Sequence, residues 1–279
     1  MQRTLNCKGK IIDLSVPKVM GILNITPDSF FDGGKYKNEK EILDQVASML
    51  QAGATFIDVG AYSSRPGAKH ITEEEELHRI VPVVVLLVAN FSDILISVDT
   101  FRSKVAKKCI EAGACMINDI SGGDLDDAMF TTVAELQVPY IIMHMQGNPQ
   151  TMQKAPVYKN VVTEVFYELS KKIEILNKLH VHDVILDVGF GFGKSVAHNF
   201  ELLKNLDYFQ EMNLSVLTGV SRKSMLYKPL HINPEQALNA TTIANTIAVQ
   251  KGTQILRVHD VKEAVEVITI LELINKEIL

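Results

Sequence analysis

The sequence has no excess of positive charge, few cysteines and no long apolar run, and each absence excludes a class of protein. Its 28 lysines and arginines are outnumbered by 33 aspartates and glutamates, and the resulting net charge of −5 argues against nucleic-acid or membrane-surface binding. The three cysteines have neither CxxC spacing nor an even count, so we expect free thiols and a cytoplasmic location. The longest apolar stretch, residues 81–89, contains a proline and is too short to span a bilayer. The N-terminus also lacks the apolar core of a signal peptide.

The remaining composition is typical of a globular protein with a large core. The chain has 279 residues, of which 47 % are hydrophobic and 22 % charged. This length allows one barrel or two smaller domains. Because no linker, low-complexity segment or shift of composition divides the chain, we predict a single domain over residues 1–279.

Eight short apolar runs recur along the chain, each followed by a longer segment with helical periodicity. Apolar strands that alternate with helices indicate a parallel sheet covered by helices. Eight such units within this length favour a closed (β/α)₈ TIM barrel over an open sheet. The predicted strands are residues 18–24, 55–60, 94–99, 115–120, 139–144, 183–189, 215–221 and 253–259.

Local signals add detail to this architecture. Residues 39–53 carry an apolar stripe and end at a glycine, which is typical of a helix C-cap. Thr72, followed by Glu75 three residues later, has the pattern of a capping box at another helix start. Residues 3–14 read as a β-hairpin turning at Lys8-Gly9, and we expect it to close the bottom of the barrel.

Every predicted strand ends in polar or ionisable residues. One polar strand end is routine, because the chain leaves the core there. Polar residues at all eight ends indicate a site, because the carboxyl ends of barrel strands meet at one mouth, where enzymes of this architecture keep their chemistry. In strand order these residues are Asn24, Asp58, Asp99, Asn118, His144, Asp187, then Ser221-Arg222-Lys223, and finally Arg257 with His259.

These strand ends divide by charge. The middle strands offer carboxylate and carboxamide acceptors, which suit a flat heterocycle with an edge of N–H donors and ring nitrogens. The last two strands and the second loop offer cations, which suit phosphate or carboxylate oxygens. We therefore predict a ligand with a flat polar ring held deep and an anionic tail at the rim. The acceptors are Asp99, Asn118 and Asp187, and the cations are Lys223, Arg257, His259 and Arg65.

One glycine-rich segment has a misleading pattern. Residues 189–195, GFGFGKS, resemble a phosphate-binding loop, but the position of its first glycine is occupied by Val188. The dinucleotide pattern G-x-G-x-x-G fails as well, because residue 194 is lysine. We therefore assign no nucleotide site to this segment.

Seven stretches taken together resemble dihydropteroate synthase. The resemblance implies a pterin-binding TIM barrel that condenses 6-hydroxymethyl-7,8-dihydropterin diphosphate with 4-aminobenzoate in folate biosynthesis, giving 7,8-dihydropteroate and pyrophosphate. It also implies a sulfonamide target that acts as a cytoplasmic homodimer and uses Mg²⁺. The stretches occur in the family's order over most of the chain: NITPDSFFDGG, SSRPGA, SVDTFRSKVA, INDISGG, DVGFGFGKS, GVSRKSM and RVHDV.

The same resemblance implies a role for individual residues. The implied catalytic set is Asn24, Asp99, Asp187, Lys223, Arg257 and His259. The pterin would be bound by Asp99, Asn118, Asp187 and Lys223. The diphosphate would be bound by Asn24, Arg65, Arg257 and His259, with the metal beside Asn24. The aminobenzoate would be surrounded by Phe30, Ser64, Arg65, Pro66, Ser221 and Lys223.

The sequence departs from the family's pattern without losing a charged group. Val188 replaces the usual proline of DPG, and Ser64 replaces the usual threonine of STRPG while retaining a hydroxyl. Ala61 and Tyr62 precede that motif where glycine is frequent. These departures concern details of the aminobenzoate pocket rather than the reaction.

The loop after Asn24 combines glycines with two adjacent phenylalanines. We expect it to act as a lid, because its glycines allow closure and Phe30 would give the aromatic amine an apolar, water-excluding wall. The alternative is that Phe30 and Phe31 only fix the loop to the barrel, and Phe31 suits that role.

Three other functions remain open from the sequence. A methyltetrahydrofolate:corrinoid methyltransferase barrel shares the pterin acceptors, but the lid sequence and the Arg257/His259 pair argue against it. A Schiff-base aldolase using Lys223 would be detected by borohydride trapping. A catalytically silent pterin-binding protein would be detected by its lack of turnover.

Overall fold

The computed structural model describes residues 4–25, 35–63, 70–147 and 156–275. Its barrel strands are all parallel, and each of the eight predicted apolar runs contains one of them. The bounds are β3 Lys18–Asn24, β4 Phe56–Gly60, β5 Ile96–Asp99, β6 Met116–Asp119, β7 Tyr140–Met143, β8 Val184–Asp187, β9 Ser215–Thr218 and β10 Ile255–Val258.

These strands close into a barrel in the order β10-β3-β4-β5-β6-β7-β8-β9, so the predicted (β/α)₈ fold is confirmed. Short 3₁₀ turns at Leu206–Met212 and Pro234–Gln236 interrupt the alternation of strands and helices. No helix in the described ranges is long and apolar enough to cross a membrane. The helices are α1 Lys35–Gln51, α2 Glu73–Asn90, α3 Ser103–Ala112, α4 Met129–Leu136, α5 Val161–Lys178, α6 Val196–Lys204, α7 Ser224–Tyr227, α8 Leu238–Gln250 and α9 Val261–Asn275.

The predicted helix ends are correct to within a turn. Helix α1 begins four residues before the expected start at residue 39 and ends just before Gly53, whose φ is +100°. At the start of α2 the hydroxyl of Thr72 accepts a hydrogen bond from the backbone N–H of Glu75 at 3.2 Å. In a complete capping box the Glu75 side chain would bond back to the backbone N–H of Thr72. Here the Glu75 carboxylate instead pairs with Arg79, one turn further along the helix.

The N-terminal hairpin consists of β1, Thr4–Cys7, and β2, Lys10–Asp13, which pair antiparallel. Lys8 and Gly9 form the turn with φ values of 55° and 82°, as a two-residue type I′ turn requires. The inward side chains Leu5 and Cys7 are buried in one cluster with residues at the amino-terminal ends of the barrel strands. The hairpin therefore closes the bottom of the barrel, as predicted.

Candidate active site

The sheet register brings polar strand ends into one row at the mouth of the barrel. Asn24 pairs in register with Gly60, Gly60 with Asp99, and Asp99 with Asn118. A Cβ atom on Gly60 would lie 3.3 Å from that of Asp99. A side chain at this position would therefore crowd Asp99, and the glycine leaves space beside it.

Arg257 lies between two carboxylates of this mouth. Its Nε donates to Oδ2 of Asp58 at 2.6 Å, and its Nη2 donates to Oδ2 of Asp99 at 2.7 Å. Burial opposes the charge of Arg257, but the carboxylates outweigh burial and raise the pKa of the guanidinium. The cation that the resemblance assigns to the diphosphate thus also holds the carboxylates of Asp58 and Asp99 in place.

Asp58 is the centre of this network, although its role is not apparent from the sequence. The residue is fully buried, and its Oδ2 also accepts from Nδ2 of Asn118 at 3.0 Å. Its other oxygen, Oδ1, is buried without a hydrogen-bond partner in the described part of the chain. Asp58 therefore orients both Asn118 and Arg257. Its position at a predicted strand end indicates that it lies at the mouth, but not that it bonds to these two residues.

The pKa of Asp99 is raised to about 7 by burial, and the attraction of Arg257 opposes this shift. The carboxylate of Asp58 nearby adds to the increase. Protonation of Asp99 therefore falls in the neutral range, where it can alter the number of hydrogen-bond acceptors offered to a ligand.

Lys223 and Asp187 form the opposite side of the mouth. Lys223 Nζ donates to the carbonyl of Phe190 at 2.5 Å and lies 4.8 Å from the ring centroid of Phe192. Burial lowers the pKa of Lys223 to about 8, against the attraction of Asp187. Burial also raises the pKa of Asp187, whose Oδ1 accepts from the backbone N–H of Gly189 at 2.7 Å. Asp187 is buried and Lys223 is half-buried, and their opposite charges attract each other.

The last two strands place Ser221 beside His259. The hydroxyl of Ser221 lies 3.2 Å from Nδ1 of His259 and accepts from its backbone N–H at 3.2 Å. Arg222 between Ser221 and Lys223 has a left-handed φ of 54° and makes a two-point ion pair with Asp260, at 2.9 and 2.7 Å. Arg222 therefore has a structural partner of its own.

An apolar cluster forms from the loops at the same end of the barrel. Such side chains suit the faces of a flat ring, although no pattern in the sequence indicates this role. The cluster consists of Phe101, Ile120, Met143 and Met145, with Tyr62 and Phe192 packed against it.

Several expected ligand-binding residues lie outside the described residues, namely Phe30, Ser64, Arg65 and Pro66, and so does Phe31, which is expected to fix the loop to the barrel. Their assigned roles therefore stay predictions. Within the described ranges, no group of three or more His, Cys, Asp or Glu side chains could hold a metal ion.

Comparison with known proteins identifies the family to which this fold belongs. A model of the family described as pterin binding enzyme matches residues 20–259. The dihydropteroate synthase of Haemophilus influenzae is 47 % identical over 259 residues, which cover 92 % of this chain and 94 % of that protein. This chain belongs to the dihydropteroate synthase family.

Solved structures of dihydropteroate synthases agree with this membership. The Yersinia pestis enzyme in a sulfonamide drug complex superposes with a TM-score of 0.91 at 42 % identity, covering 97 % of this chain and 98 % of the other. The Xanthomonas albilineans enzyme in complex with 7,8-dihydropteroate gives a TM-score of 0.86 at 36 % identity, covering 97 % and 98 %. The family predicted from the ordered motifs is therefore confirmed.

Proposed function

We propose that this chain condenses 6-hydroxymethyl-7,8-dihydropterin diphosphate with 4-aminobenzoate, releasing pyrophosphate and forming 7,8-dihydropteroate. The observation that carries the proposal is the mouth of the barrel, where Asp99, Asn118 and Asp187 lie with Lys223 and Arg257. This set matches a ring edge rich in N–H donors and ring nitrogens, held next to an anionic group. Membership in the dihydropteroate synthase family supports the same reaction.

The pterin ring would lie among the acceptors of the mouth. Asp99 and Asp187 can accept from ring N–H groups, while Asn118 both donates and accepts. Lys223 supplies a donor and a positive charge from the opposite side. Because Asp58 and Arg257 already fix Asn118 and Asp99, the pocket is preorganised before the ligand enters.

The diphosphate would lie at the rim, near Asn24, Arg257 and His259. A guanidinium has five N–H donors, and Asp58 and Asp99 take two of those of Arg257, so donors remain for phosphate oxygens. His259 is exposed and Asn24 is half-buried, so both can reach an anion from the strand ends. Arg65 is proposed here from the resemblance alone.

Mg²⁺ fits this rim through Asn24. The ion typically takes one or two protein oxygens and completes its shell with substrate phosphates and water, so a single carboxamide is compatible with it. When bound, it would neutralise charge on the leaving pyrophosphate.

We expect a dissociative reaction, in which C–O cleavage runs ahead of attack by the amine. The carboxylates of Asp99 and Asp187 would then stabilise the positive charge that develops on the pterin methylene.

Turnover is the direct test of this function. Purified protein with Mg²⁺, the dihydropterin diphosphate and 4-aminobenzoate should release pyrophosphate only when both substrates are present, and dihydropteroate should form. Folded protein without product would refute the proposal. Borohydride trapping of Lys223 with a carbonyl substrate would instead support aldolase chemistry.

Pterin affinity should fall as the pH is lowered through about 7, because Asp99 then takes up a proton and loses an acceptor. Calorimetric titration between pH 5.5 and 8.5 measures this dependence. The Asp99→Asn variant has no carboxyl group to titrate at this position, so its profile should lack the step near neutrality. An identical step in both proteins would assign the proton to another group.

The Phe30→Leu substitution tests the predicted lid. We expect a loss of about 1–2 kcal/mol, which is reasonable for an aromatic contact with partial burial, seen as a higher KM for aminobenzoate with pterin binding nearly unchanged. A purely structural Phe30 would instead lower the melting temperature and leave both KM values unmoved. One variant, measured for both KM values and for melting, distinguishes the two roles.

We further propose that the protein is a homodimer, because several large apolar side chains are exposed on helices α8 and α9. Sedimentation should give a dimer for the parent and a monomer for Leu273→Glu. Ile175→Glu, on α5, is the matched control and should leave the dimer intact. The exposed side chains are Ile243, Ile247, Ile270, Leu273 and Ile274.

A further inference from the structure

The loop between β8 and α6 lies against the residues that follow β7. Gly189 and Gly193 have left-handed φ values of +73° and +63°. A Cβ atom on Gly189 would lie 1.9 Å from the carbonyl oxygen of His144, and one on Gly193 would lie 2.7 Å from that of Gln146. Glycine therefore permits the two backbones to come into direct contact here.

Lys194 stabilises this contact between the two backbone segments. Its side chain is buried, and Nζ donates to Nδ1 of His144 at 2.9 Å, to the His144 carbonyl at 3.2 Å and to the Phe192 carbonyl at 3.0 Å. An ammonium group has three donors, so these acceptors use all of them. Because Nδ1 of His144 accepts a bond, the ring proton of the neutral imidazole belongs on Nε2.

The charges around this contact are consistent with the same arrangement. Burial lowers the pKa of His144 to about 2, and the positive charge of Lys194 adds to that effect. The imidazole is therefore neutral and able to accept. Burial also lowers the pKa of Lys194 to about 7, while Asp187 opposes this shift, so the ammonium form with three donors prevails below about pH 7.

The loop that Lys194 stabilises also forms hydrogen bonds with Asp187 and Lys223, two groups of the proposed pterin site. The backbone N–H of Gly189 donates to Asp187, and the carbonyl of Phe190 accepts from Lys223. A Cβ atom on Gly191 would lie 3.4 Å from Cδ of Lys223, so the loop also packs along that side chain. A shift of the loop would therefore move Asp187 and Lys223 together.

We propose that Lys194 is a positioning residue for the pterin end of the site. By bonding to His144 and to the Phe192 carbonyl, it fixes the loop that orients Asp187 and Lys223. The identity of the ligand in this inference rests on the proposed function, whereas the link from Lys194 through the loop to Lys223 does not.

Three variants test the link. Lys194→Met has an unbranched side chain that is shorter by one atom and has no donor. His144→Leu removes the acceptor at Nδ1, whereas His144→Asn places a carboxamide oxygen near the same position. Lys178→Met, on the exposed surface of α5, is the control.

Pterin binding and the kinetics give the first readout. We expect Lys194→Met and His144→Leu to weaken binding of the dihydropterin diphosphate about tenfold or more, because small displacements of binding groups have large effects. The KM for aminobenzoate should change little, and His144→Asn and Lys178→Met should resemble the parent. Unchanged pterin affinity in folded Lys194→Met would overturn the proposal. An equal rise of both KM values with a lower Tm would also overturn it, because that pattern indicates a general loss of structure.

The pKa of Lys223, measured by NMR of ¹³C-methylated lysines without any ligand, gives a second readout. We expect it to rise towards its ordinary value in His144→Leu, as the loop uncovers the amine, and to stay at the parent value in His144→Asn. Equal values in these two variants would refute the link, even if Lys194→Met failed to fold. If the parent shows no turnover but the Lys223 pKa moves as expected, the proposed function fails and the positioning role stands.

Discussion

Replacing Arg257 with methionine should destabilise the protein by about 3 kcal/mol, because it leaves the fully buried carboxylate of Asp58 without its cation. The guanidinium is bonded to Asp58, which is fully buried, and to Asp99. The free energy of unfolding, measured in urea at pH 7.5, gives the size of the loss. Lys108→Met removes an exposed ion pair with Glu111 and should cost less than about 1 kcal/mol.

Two further measurements test this explanation. Adding Asp58→Asn to Arg257→Met should restore part of the stability, because it removes one of the unpaired charges. The loss should also shrink at pH 5.5. Arg257 lowers the pKa of Asp99, so without Arg257 this pKa lies still higher. A carboxyl group whose pKa is raised by folding stabilises the protein at low pH, and this stabilisation is lost as the pH rises through the raised pKa. The variant should therefore be closer in stability to the parent at pH 5.5 than at pH 7.5. A loss that is independent of pH, with Asp58→Asn adding a further cost, would contradict the charge-based explanation.

The strands and the hairpin could be predicted from the sequence because their signals are local. Alternation of short apolar runs with helical segments is sufficient to place strands such as β8, and Lys8-Gly9 specifies the hairpin turn. The predicted start of α1 lies four residues too late, because residues 35–38, KYKN, lack apolar periodicity. Such boundaries depend on contacts that the hydrophobic pattern does not encode.

The interactions within the site could be predicted only in part. The strand-end rule gathers Asp58, Asp99 and Arg257 at one mouth, but it does not pair their side chains. Arg257 and Asp58 are 199 residues apart in sequence, so their contact depends on barrel closure and strand register. The sequence therefore presents Arg257 as a free cation for phosphate, whereas in the structure two carboxylates share it.

The role of Lys194 also could not be predicted from the sequence. The failed phosphate-loop pattern argues against a nucleotide site, but it leaves the lysine without any role. Its partner His144 is 50 residues away in the sequence, where it is recognisable only as a polar residue at the end of a predicted strand. The role of Lys194 emerges only when the backbone approach of Gly189 to His144 is known.

The Asp187→Asn substitution should weaken pterin binding by roughly 1.5–3 kcal/mol, because it replaces a charged acceptor with a neutral group of the same shape. The carboxamide oxygen can still accept from the backbone N–H of Gly189, so the loop should keep its conformation. Calorimetry with the dihydropterin diphosphate alone measures the loss without involving aminobenzoate. Asp127→Asn, at an exposed position, is the matched control and should bind as the parent does.

The same substitution should also change Lys223. Asp187 raises the pKa of Lys223 against the effect of burial, which otherwise lowers it, and the balance lies at about 8. Without the carboxylate, the pKa of Lys223 should fall further, so the amine loses its charge at a lower pH and pterin affinity should decline earlier as the pH rises. Pterin titrations of parent and variant between pH 6.5 and 9 would show this as a displaced alkaline limb. Equal affinity, or an unmoved alkaline limb, would mean that Asp187 neither binds the pterin nor supports the charge of Lys223.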